Sequence, residues 1–533
     1  MTHTIIVGSG PAAAGAALAL VVDPSQRVTI LDIGHRLSPD NLDVVSRLGT
    51  QPPAEWSTDD IEVIRAQPSD AAVKGLPQKR SYGSNYPFQD VGQLAGVRGV
   101  GPVNTEVISG AYGGLSNVWG SQVMPFTAAT FDDWPVSLAE MESHYRRILQ
   151  EIPFAGEDDA LAERFPLIAE SHALPVLAPR MQSVMQAANR HQAKLRDVGV
   201  LVGRARLAFD ASNCVRCGLC MTGCPYSLIY SSASTFDRLR REQRVEYHGG
   251  LLVTYVGEEK GRPFVLAKEL DSDVMHRFEA DRVMLGCGAM GTTRLVLGSL
   301  GIFDEDVELA ESAQFVMPML SMHPTPDPRH RDEFTLNQVN MAIATDAVWR
   351  DVAQIHFYPH NAAISQALPP ILATRIGTPV ASQVLRRLTV GLGYLPSWAS
   401  SPVRARVERS HDPTALPNLV LRGTVTEITR TPMFRQVVAK VLKVAPRLDL
   451  WPVIPLTSLS GAAKSYHFGA SFPHRTEPAD GPLTTDRLGR LSRWRNVHLI
   501  DASVFPTIPA TTFTLTIMAN AHRIATEALT ESR

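Results

Sequence analysis

The start of the chain alternates between apolar runs and short polar loops, a pattern that predicts a strand, a helix and a second strand. Residues 5–7 are apolar and β-branched, which favours a buried strand. Residues 11–20 are rich in alanine and leucine, which favours a helix. Residues 28–31 form a second apolar run of strand length. Because a helix joins the two strands, we expect them to lie parallel in one sheet.

Helix-like and strand-like patterns also occur along the rest of the chain. Apolar residues recur at helical spacing or at every second position, which predicts helices at 137–149, 179–195 and 514–529, strands at 338–343, 352–357 and 497–500, and an irregular loop at 502–510. Two further stretches, 380–398 and 435–453, mix apolar residues with arginine or lysine. Such stretches can lie on a bilayer, but amphipathic helices of a folded domain are the preferred interpretation.

Composition narrows the class of protein. The chain has 533 residues, of which 44% are hydrophobic and 20% charged, as in globular proteins of more than one domain. Its 51 basic residues nearly balance 53 acidic ones, so no nucleic-acid partner is expected. No apolar run reaches the ~18 residues of a membrane span, and no signal peptide is recognised. We therefore expect a cytoplasmic protein without a transmembrane span.

The loop between the first strand and helix has the pattern of a dinucleotide-binding site. Gly8 permits the turn, and Gly10 lets the backbone approach a pyrophosphate at the start of the helix. Ser9 lies between them, and Ala13 is a small residue at the position where the helix packs closely. Asp32 ends the second strand, where an acidic residue accepts hydrogen bonds from a ribose. An N-terminal unit of this kind on a long chain favours FAD over NAD.

Four of the five cysteines lie within eleven residues, at Cys214, Cys217, Cys220 and Cys224. Their spacing, with a proline after the last, is that of bacterial ferredoxins. It favours an iron–sulfur cluster, [3Fe–4S] or [4Fe–4S], while structural zinc and free thiols are the alternatives. The fourth cysteine of such a run serves another cluster in two-cluster ferredoxins, so Cys287 is a further candidate ligand. Clustered thiols also favour a reducing compartment.

Five segments, in chain order, resemble the glucose-methanol-choline family of FAD-dependent oxidoreductases. They are residues 8–15 (GSGPAAAG), 113–120 (GGLSNVWG), 285–297, 466–469 (YHFG) and 497–507 (VHLIDASVFPT). The resemblance implies an α/β fold, in which a doubly wound, glutathione-reductase-like FAD-binding domain carries an inserted α+β substrate domain with an antiparallel sheet. It assigns residues 1–134, 196–305 and 458–533 to the FAD-binding domain, with the Cys-rich segment 213–225 inside it, and residues 135–195 and 306–457 to the substrate domain.

The resemblance also implies further residues at the cofactor. Besides the N-terminal loop, the FAD is expected to contact Gly114, Asn117, Val253, Gly288, Asp501, Ala502 and Phe513. Some sugar oxidases of the family attach the flavin through a histidine in the segment that matches residues 113–120. Val118 occupies that place here. The resemblance therefore implies noncovalent FAD.

Family members oxidise an alcohol to a carbonyl, with a base that takes the hydroxyl proton while a hydride passes to flavin N5. His467 matches the usual histidine, and an imidazole has an ordinary pKa near neutrality. His474 is the second candidate. Thr512 stands where the family has a histidine or asparagine, and a threonine is no base near pH 7. Thr512 is expected to orient the substrate hydroxyl, with a loop hydroxyl bonded to backbone as the alternative.

The leading hypothesis is an FAD-dependent dehydrogenase or oxidase acting on a CH–OH group of a sugar, polyol or related natural product. The substrate, the oligomeric state and the electron acceptor stay open, and an acceptor protein or a quinone is a candidate partner if a cluster relays electrons. One alternative is a flavin and iron–sulfur electron-transfer subunit. Another, suggested by Thr512, is a flavoprotein with non-alcohol or non-redox chemistry.

Overall fold

The protein is described by a computed structural model that covers residues 2–66, 80–89, 96–272, 274–328, 333–361, 378–410, 416–423, 431–475 and 483–531. Its described helices are α1 (Pro11–Leu20), α2 (Pro39–Thr50), α3 (Thr58–Arg65), α4 (Leu138–Glu151), α5 (Pro179–Arg190), α6 (Gln192–Arg196), α7 (Ser232–Arg241), α8 (Ala289–Leu300), α9 (Thr378–Leu385), α10 (Pro432–Leu448) and α11 (Thr514–Thr530). Short 3-10 turns include Gly114–Asn117, Ile454–Leu456 and Ala502–Val504.

The described strands are β1 (Thr2–Val7), β2 (Gln26–Leu31), β3 (Val97–Val100), β4 (Phe154–Ala155), β5 (Val200–Arg204), β6 (Leu207–Ala208), β7 (Glu246–His248), β8 (Leu251–Glu259), β9 (Arg262–Glu269), β10 (Met275–Glu279), β11 (Arg282–Leu285), β12 (Asp306–Glu311), β13 (Gln314–Leu320), β14 (Val339–Ala344), β15 (Val352–Tyr358), β16 (Leu388–Tyr394), β17 (Val403–Glu408), β18 (Asn418–Arg422), β19 (Trp451–Pro452), β20 (Ser458–Leu459), β21 (Phe468–Gly469) and β22 (Val497–Leu499). Mixed helices and sheets make this an α/β protein, as the sequence predicts.

A five-stranded parallel sheet joins distant parts of the chain in the order β22-β11-β1-β2-β7. β1 lies at its centre and is buried on both faces over residues 4–7, which explains its unbroken apolar run. The predicted unit of strand, helix and strand is confirmed by β1, α1 and β2. The carboxyl ends of β1, β2, β11 and β22 lie at one edge, where parallel sheets bind ligands.

Helix α1 packs against α11, so the two ends of the chain meet beside this sheet. The backbones approach closely at Gly15, because a Cβ there would lie 2.2 Å from the carbonyl oxygen of Met518. The alanine-rich sequence of α1 is the reason that the helices come so near, since larger side chains would hold them apart.

A second, seven-stranded antiparallel sheet has two chemically different faces. One face packs under α5 and α10 through apolar side chains, which include Phe315, Met317, Met319, Met341, Ile355 and Phe357. Alternation along the strands sends the intervening residues to the opposite face. That face carries polar and aromatic side chains, namely Gln314, Asn340, Gln354, His356, Tyr358 and Tyr394. Most of this polar face is buried, so it lines the interior of the molecule.

Three further sheets complete the described part of the fold. One has the order β21-β12-β17-β18-β3, another the order β10-β9-β8, and a third pairs β4 with β6. β21 matters for the site described below, because it follows His467 directly and pairs with the end of β12.

Three sequence-based expectations differ from the observed elements. The predicted helix 179–195 is two helices, α5 and α6, which break at His191. The stretch 380–398 is a helix followed by a strand, because residues 388–394 alternate as strands do. β5 pairs with β14 in the antiparallel sheet, although the predicted domain division grouped it with the FAD-binding part. The division itself stays a prediction. No helix in the described ranges is long and apolar enough to cross a membrane.

Candidate active site

A cavity of about 470 Å³ lies between the edge of the parallel sheet and the polar face of the antiparallel sheet. Its walls include most of the residues that the sequence predicts for the cofactor: Gly8, Ser9, Gly10, Asp32, Gly114, Val253, Gly288, Asp501, Ala502 and Phe513. His467 lines the same cavity. The structure therefore brings the predicted cofactor residues and the predicted base together at one site.

The β1–α1 loop has the geometry that a dinucleotide needs. Gly8 adopts φ +99°, a left-handed conformation, and a Cβ there would lie 2.7 Å from the carbonyl oxygen of Gly286. Gly10 precedes α1 with ordinary extended backbone, and no atom lies within 4 Å of its Cβ position. The open space before Gly10 lies at the start of the helix, where amide groups and the helix dipole favour a phosphate. This cradle fits a pyrophosphate group.

The carboxyl group of Asp32 is buried at the cavity wall and already holds the loop in shape. Ser9 donates a hydrogen bond from Oγ to Asp32 Oδ2 at 2.5 Å, and the hydroxyl of Tyr247 donates to the same oxygen at 3.0 Å. Ser9 Oγ also accepts from the amide of Gly113 at 2.9 Å. Burial raises the pKa of Asp32 to about 6. A hydrogen-bond donor such as a ribose hydroxyl would favour the ionised form.

The C-terminal segment adds a second buried carboxyl group, that of Asp501. Thr292 donates to its Oδ2 at 2.5 Å, and the amide of Ser503 donates to its Oδ1 at 2.9 Å. Burial raises the pKa of Asp501. These bonds join the start of α8 to the 3-10 turn Ala502–Val504. Gly288 and Ala502 are thereby fixed on the same wall as the β1–α1 loop.

His467 lies deep in the cavity between two aromatic rings. Its ring stacks on Tyr394 with centroids 4.7 Å apart, and Phe513 meets it edge-on at 4.9 Å. The Nδ1 atom is buried and has no hydrogen-bond partner within the described part of the chain. Burial lowers the pKa of His467 to about 4, below the ordinary value that the sequence analysis assumed. The imidazole is therefore neutral at pH 7 and carries a free lone pair.

The other two predicted catalytic residues lie outside the cavity wall. Thr512 donates from Oγ1 to the carbonyl oxygen of Gln122 at 3.3 Å, which agrees with the alternative of a loop hydroxyl bonded to backbone. His474 is fully buried and lies 2.6 Å from the Asp486 carbonyl oxygen through Nδ1. Its Nε2 lies 3.3 Å from the side-chain amide of Asn520. Burial lowers its pKa to about 3. These contacts point to a packing role for His474.

Two predicted cofactor residues lie behind the wall instead of on it. Ala13 is fully buried in α1. Asn117 donates from Nδ2 to the carbonyl oxygens of Tyr112 and Gly114 at 3.0 and 2.8 Å, which shapes the 3-10 turn. Val118 lines the cavity at the place of the linking histidine.

The sequence analysis missed the polar face of the antiparallel sheet. Gln314, Tyr358 and Tyr394 line the cavity from this face. His356 lies behind Tyr394, with ring centroids 5.1 Å apart, and its Nε2 is 3.1 Å from Gln354 Oε1. The tyrosine therefore lies between two histidines. The available signal was the polar residue at every second position of β15, a strand that is otherwise apolar.

The four clustered cysteines form one loop beside the cavity, since Met221 of this loop lines its wall. Burial and then the neighbouring thiols raise the pKa of Cys217 to about 12 and that of Cys224 to about 11. Cys214 and Cys220 contribute to both of these upward shifts in pKa. Cys287 lies apart from them, on the wall formed by residues 286–289.

Backbone amides surround the sulfur atoms of this loop. The amide of Arg216 donates to Cys214 Sγ at 3.4 Å, and that of Thr335 donates to Cys220 Sγ at 3.3 Å. The Leu219 amide lowers the pKa of Cys217, and the Leu228 amide that of Cys224. N–H donors of this kind stabilise thiolates bound to iron. The donor set thus fits a thiolate-ligated cluster.

Geometry within the loop is not yet that of a loaded metal site. Across the described residues, no three His, Cys, Asp or Glu side chains surround a common metal position.

Comparisons with known proteins agree with the four-cysteine loop and with the overall fold. Residues 207–229 match the family model of a 4Fe-4S binding domain. A search of curated proteins finds no match to the sequence. Among solved structures, the fold is similar to that of pyridoxine 4-oxidase from Mesorbium loti, with a TM-score of 0.59, 13% identity and coverage of 99% of each chain. The similarity to this structure is one of fold, and it extends over the whole chain.

Proposed function

We propose that this protein is an FAD-dependent oxidoreductase that oxidises a CH–OH group to a carbonyl. One observation carries the proposal: a single cavity is lined by the Gly8–Gly10 cradle, by Asp32 and by His467. The fold similarity to an oxidase and the 4Fe-4S motif both support redox chemistry.

The residues that line the cavity at the edge of the parallel sheet would hold the cofactor. Gly10 and the amides at the start of α1 would bind the pyrophosphate, and Asp32 would accept a hydrogen bond from a ribose. Asp501, Ala502 and Phe513 line the same cavity as His467. When bound, FAD supplies a hydride acceptor. Val118 offers no nucleophile, which supports noncovalent binding.

His467 would take the hydroxyl proton of the substrate. Its imidazole is neutral at pH 7, and neither ring nitrogen forms a hydrogen bond with another described residue, although Nδ1 itself is buried. In the complex with substrate, hydrogen bonds to the His467 ring and the charge that develops on the reacting groups would favour the protonated imidazole. This effect would offset the low pKa of the buried ring. The Tyr394 stack and the Phe513 edge hold the ring in one orientation and exclude water.

The polar face of the antiparallel sheet would orient the rest of the substrate. Gln314 donates from Nε2 to the Tyr394 hydroxyl at 3.1 Å, so these two groups form one hydrogen-bonding unit at the wall. Tyr358 lines the same face. Hydroxyl and amide groups in a buried wall favour a ligand with several hydroxyl groups, such as a sugar or polyol. Thr512 has no part in this assignment.

The four-cysteine loop would hold an iron–sulfur cluster through Cys214, Cys217, Cys220 and Cys224. A bound cluster would carry single electrons from the flavin to an acceptor, for which a protein or a quinone is proposed. Met221 places this loop at the wall of the cavity that would hold the flavin. Cys287 is not proposed as a ligand.

The test is His467→Ala, with His467→Gln as a size-matched variant that cannot act as a base. Positioned bases contribute about 10²- to 10⁴-fold to rates. We expect both variants to bind FAD as the wild type does but to reduce it more slowly by about that factor with hydroxylated substrates. Anaerobic stopped-flow bleaching of the flavin measures this rate.

Two results would argue against the proposal. Flavin that no alcohol bleaches in the wild type would favour an electron-transfer subunit. Wild-type bleaching rates in both His467 variants would place the base elsewhere, and His474 would be examined next.

A further inference from the structure

Five large apolar side chains are exposed together at one end of the antiparallel sheet, and we call them the apolar edge. They are Leu320, Met322, Trp451, Ile454 and Leu456, with exposed fractions of 39, 71, 40, 37 and 64%. Single exposed apolar residues are common on protein surfaces, but a group of adjoining ones marks a binding surface. The apolar edge therefore needs a partner.

Backbone pairing makes the apolar edge one surface. Leu320 lies opposite Trp451 where β13 pairs with β19. The amide of Val453 donates to the carbonyl oxygen of Pro318 at 2.8 Å, so the chain from Trp451 onward runs antiparallel along the side of β13. Met322 is tied to the same place, because its amide donates to Asp449 Oδ1 at 2.9 Å.

Basic residues border the apolar edge. α10 ends just before Trp451 and carries Lys443 and Arg447 in its last two turns, with no acidic residue in the helix. Arg386 and Arg387 lie on the other side, where the Arg387 carbonyl oxygen accepts from the Ser321 amide at 3.0 Å.

The described acidic groups at this surface are few and engaged. Asp449 accepts hydrogen bonds from Ser321 and from the amide of Met322 and pairs with His323 at 2.9 Å. Asp327 accepts from Ser382 at 2.7 Å. The local charge is therefore positive around an apolar centre.

We propose that the apolar edge rests on a bilayer surface that contains anionic lipids. Apolar side chains with a tryptophan would enter the region between headgroups and acyl chains, while Lys443, Arg447 and Arg387 would bind lipid phosphates. No helix in the described ranges is long and apolar enough to span a membrane, so the contact is with the surface. The proposal goes beyond the redox function and does not depend on it.

The position of the apolar edge gives the contact a consequence for the cavity. Leu456 is separated by three residues from Ser460, which lines the cavity. A bilayer at the apolar edge would lie next to the cavity, and a compound dissolved in that bilayer would have a short path to it.

Sedimentation with vesicles tests the proposal on the full-length protein. One vesicle preparation contains phosphatidylcholine and phosphatidylglycerol in equal parts, and the other contains phosphatidylcholine alone. We expect binding to the anionic vesicles in 0.1 M salt, and at least tenfold weaker binding to neutral vesicles or in 1 M salt, because screening removes the electrostatic part (order-of-magnitude values).

Variants separate the apolar and the charged contribution. Met322→Ser and Leu456→Ser should each lower the partition coefficient about tenfold. The double variant Lys443→Glu/Arg447→Glu should lower binding to anionic vesicles by about tenfold or more. Val22→Ser, at a residue 70% exposed after α1, and Lys260→Glu, in the turn after β8, serve as matched controls that should bind like the wild type. All these positions are on the surface, so melting temperatures check the fold.

Two outcomes would overturn the proposal. One is absence of binding to the anionic vesicles, or binding that Met322→Ser and Leu456→Ser leave unchanged. The other is a dimer in analytical ultracentrifugation that Leu456→Ser dissociates, without vesicle binding, which would make the apolar edge an interface between two copies of the chain.

Discussion

Glu311 is a buried acidic residue that holds the loop before His467 in place. Its Oε1 accepts a hydrogen bond from Ser465 Oγ at 3.0 Å, and the amides of Ala463 and Ser465 stabilise its ionised form. Ser465 Oγ in turn accepts from the amide of His467 at 3.0 Å. Ala463 and Tyr466 have φ of 59° and 56°, a left-handed backbone that side chains disfavour, so the loop depends on these contacts.

This arrangement predicts how stability changes with pH. Burial raises the pKa of Glu311 from 4.5 to about 7. The folded protein thus holds the proton more tightly than the unfolded chain, so this contribution to stability is complete below pH 4.5 and is lost as pH rises through 7. The difference corresponds to at most about 3 kcal/mol. We expect Glu311→Gln to show a smaller fall in melting temperature between pH 5 and 8, measured by calorimetry.

Glu308→Gln is the matched control for that experiment. Glu308 lies on the same strand, is largely exposed and pairs with Arg404 at 3.0 Å. Its variant should keep the pH dependence of the wild type. If Glu311→Gln keeps the pH dependence of the wild type, the pKa of the Glu311 carboxyl group lies outside the range from pH 5 to 8.

Thr512 leads to a second prediction for a single residue. Since its hydroxyl bonds to the carbonyl oxygen of Gln122, Thr512→Val removes one hydrogen bond and leaves the cavity wall unchanged. We expect a loss of about 0.5–1.5 kcal/mol in unfolding free energy, measured by urea denaturation, and an unchanged rate of flavin bleaching. A strong fall in that rate with normal stability would return Thr512 to the orienting role that the resemblance implied.

Among the elements, α1 contains Gly15 and is preceded by Gly10, and substitutions at these two glycines have different expected effects. At Gly15 a Cβ would lie 2.2 Å from the Met518 carbonyl oxygen, so Gly15→Ala forces α1 and α11 apart. We expect a loss of about 1–3 kcal/mol or more, measured by thermal unfolding. At Gly10 nothing lies within 4 Å of the Cβ position. In the absence of cofactor, Gly10→Val should therefore have the same melting temperature as the wild type.

Gly10→Val should nevertheless lose FAD, because its side chain fills the space for the pyrophosphate. The absorbance of purified protein reports flavin content. Full flavin occupancy in Gly10→Val would mean that the cofactor lies elsewhere in the cavity, and normal stability in Gly15→Ala would mean that the helices adjust at little cost.

At the scale of the whole molecule, the proposed electron path depends on the four-cysteine loop. Cys217→Ser should remove iron, which amounts to about three or four atoms per chain for a single cluster, and should leave FAD bound. Substrate should still bleach the flavin, while an external acceptor should reoxidise it more slowly. Cys287→Ser is the control, since Cys287 lies on another wall and should keep the iron. Iron-free wild-type protein with full turnover would show that the thiols have no redox role.

Much of this architecture could be predicted where the signal is local. The β1–α1 loop carries its own strand and helix, and Asp32 follows a strand that is apolar by itself, so neighbouring residues suffice. β5 could not be placed this way, because its partner β14 is distant in the chain. His356 was not predicted as a site residue because its strand is buried on both faces. The contact of Thr512 could not be predicted either, because Gln122 is distant in the sequence and only the fold brings the two residues together.

The meeting of α1 and α11 has a consequence for protein synthesis. β1 is made well before β22 and α11, so its sheet lacks β22, and α1 lacks its packing partner, until Thr530 has left the ribosome. At about 5–20 residues per second, translation of the intervening chain takes roughly half a minute to two minutes. During that time the apolar faces of β1 and α1 stay partly uncovered, so chaperones have a long opportunity to bind at β1 and α1 while the later residues are made.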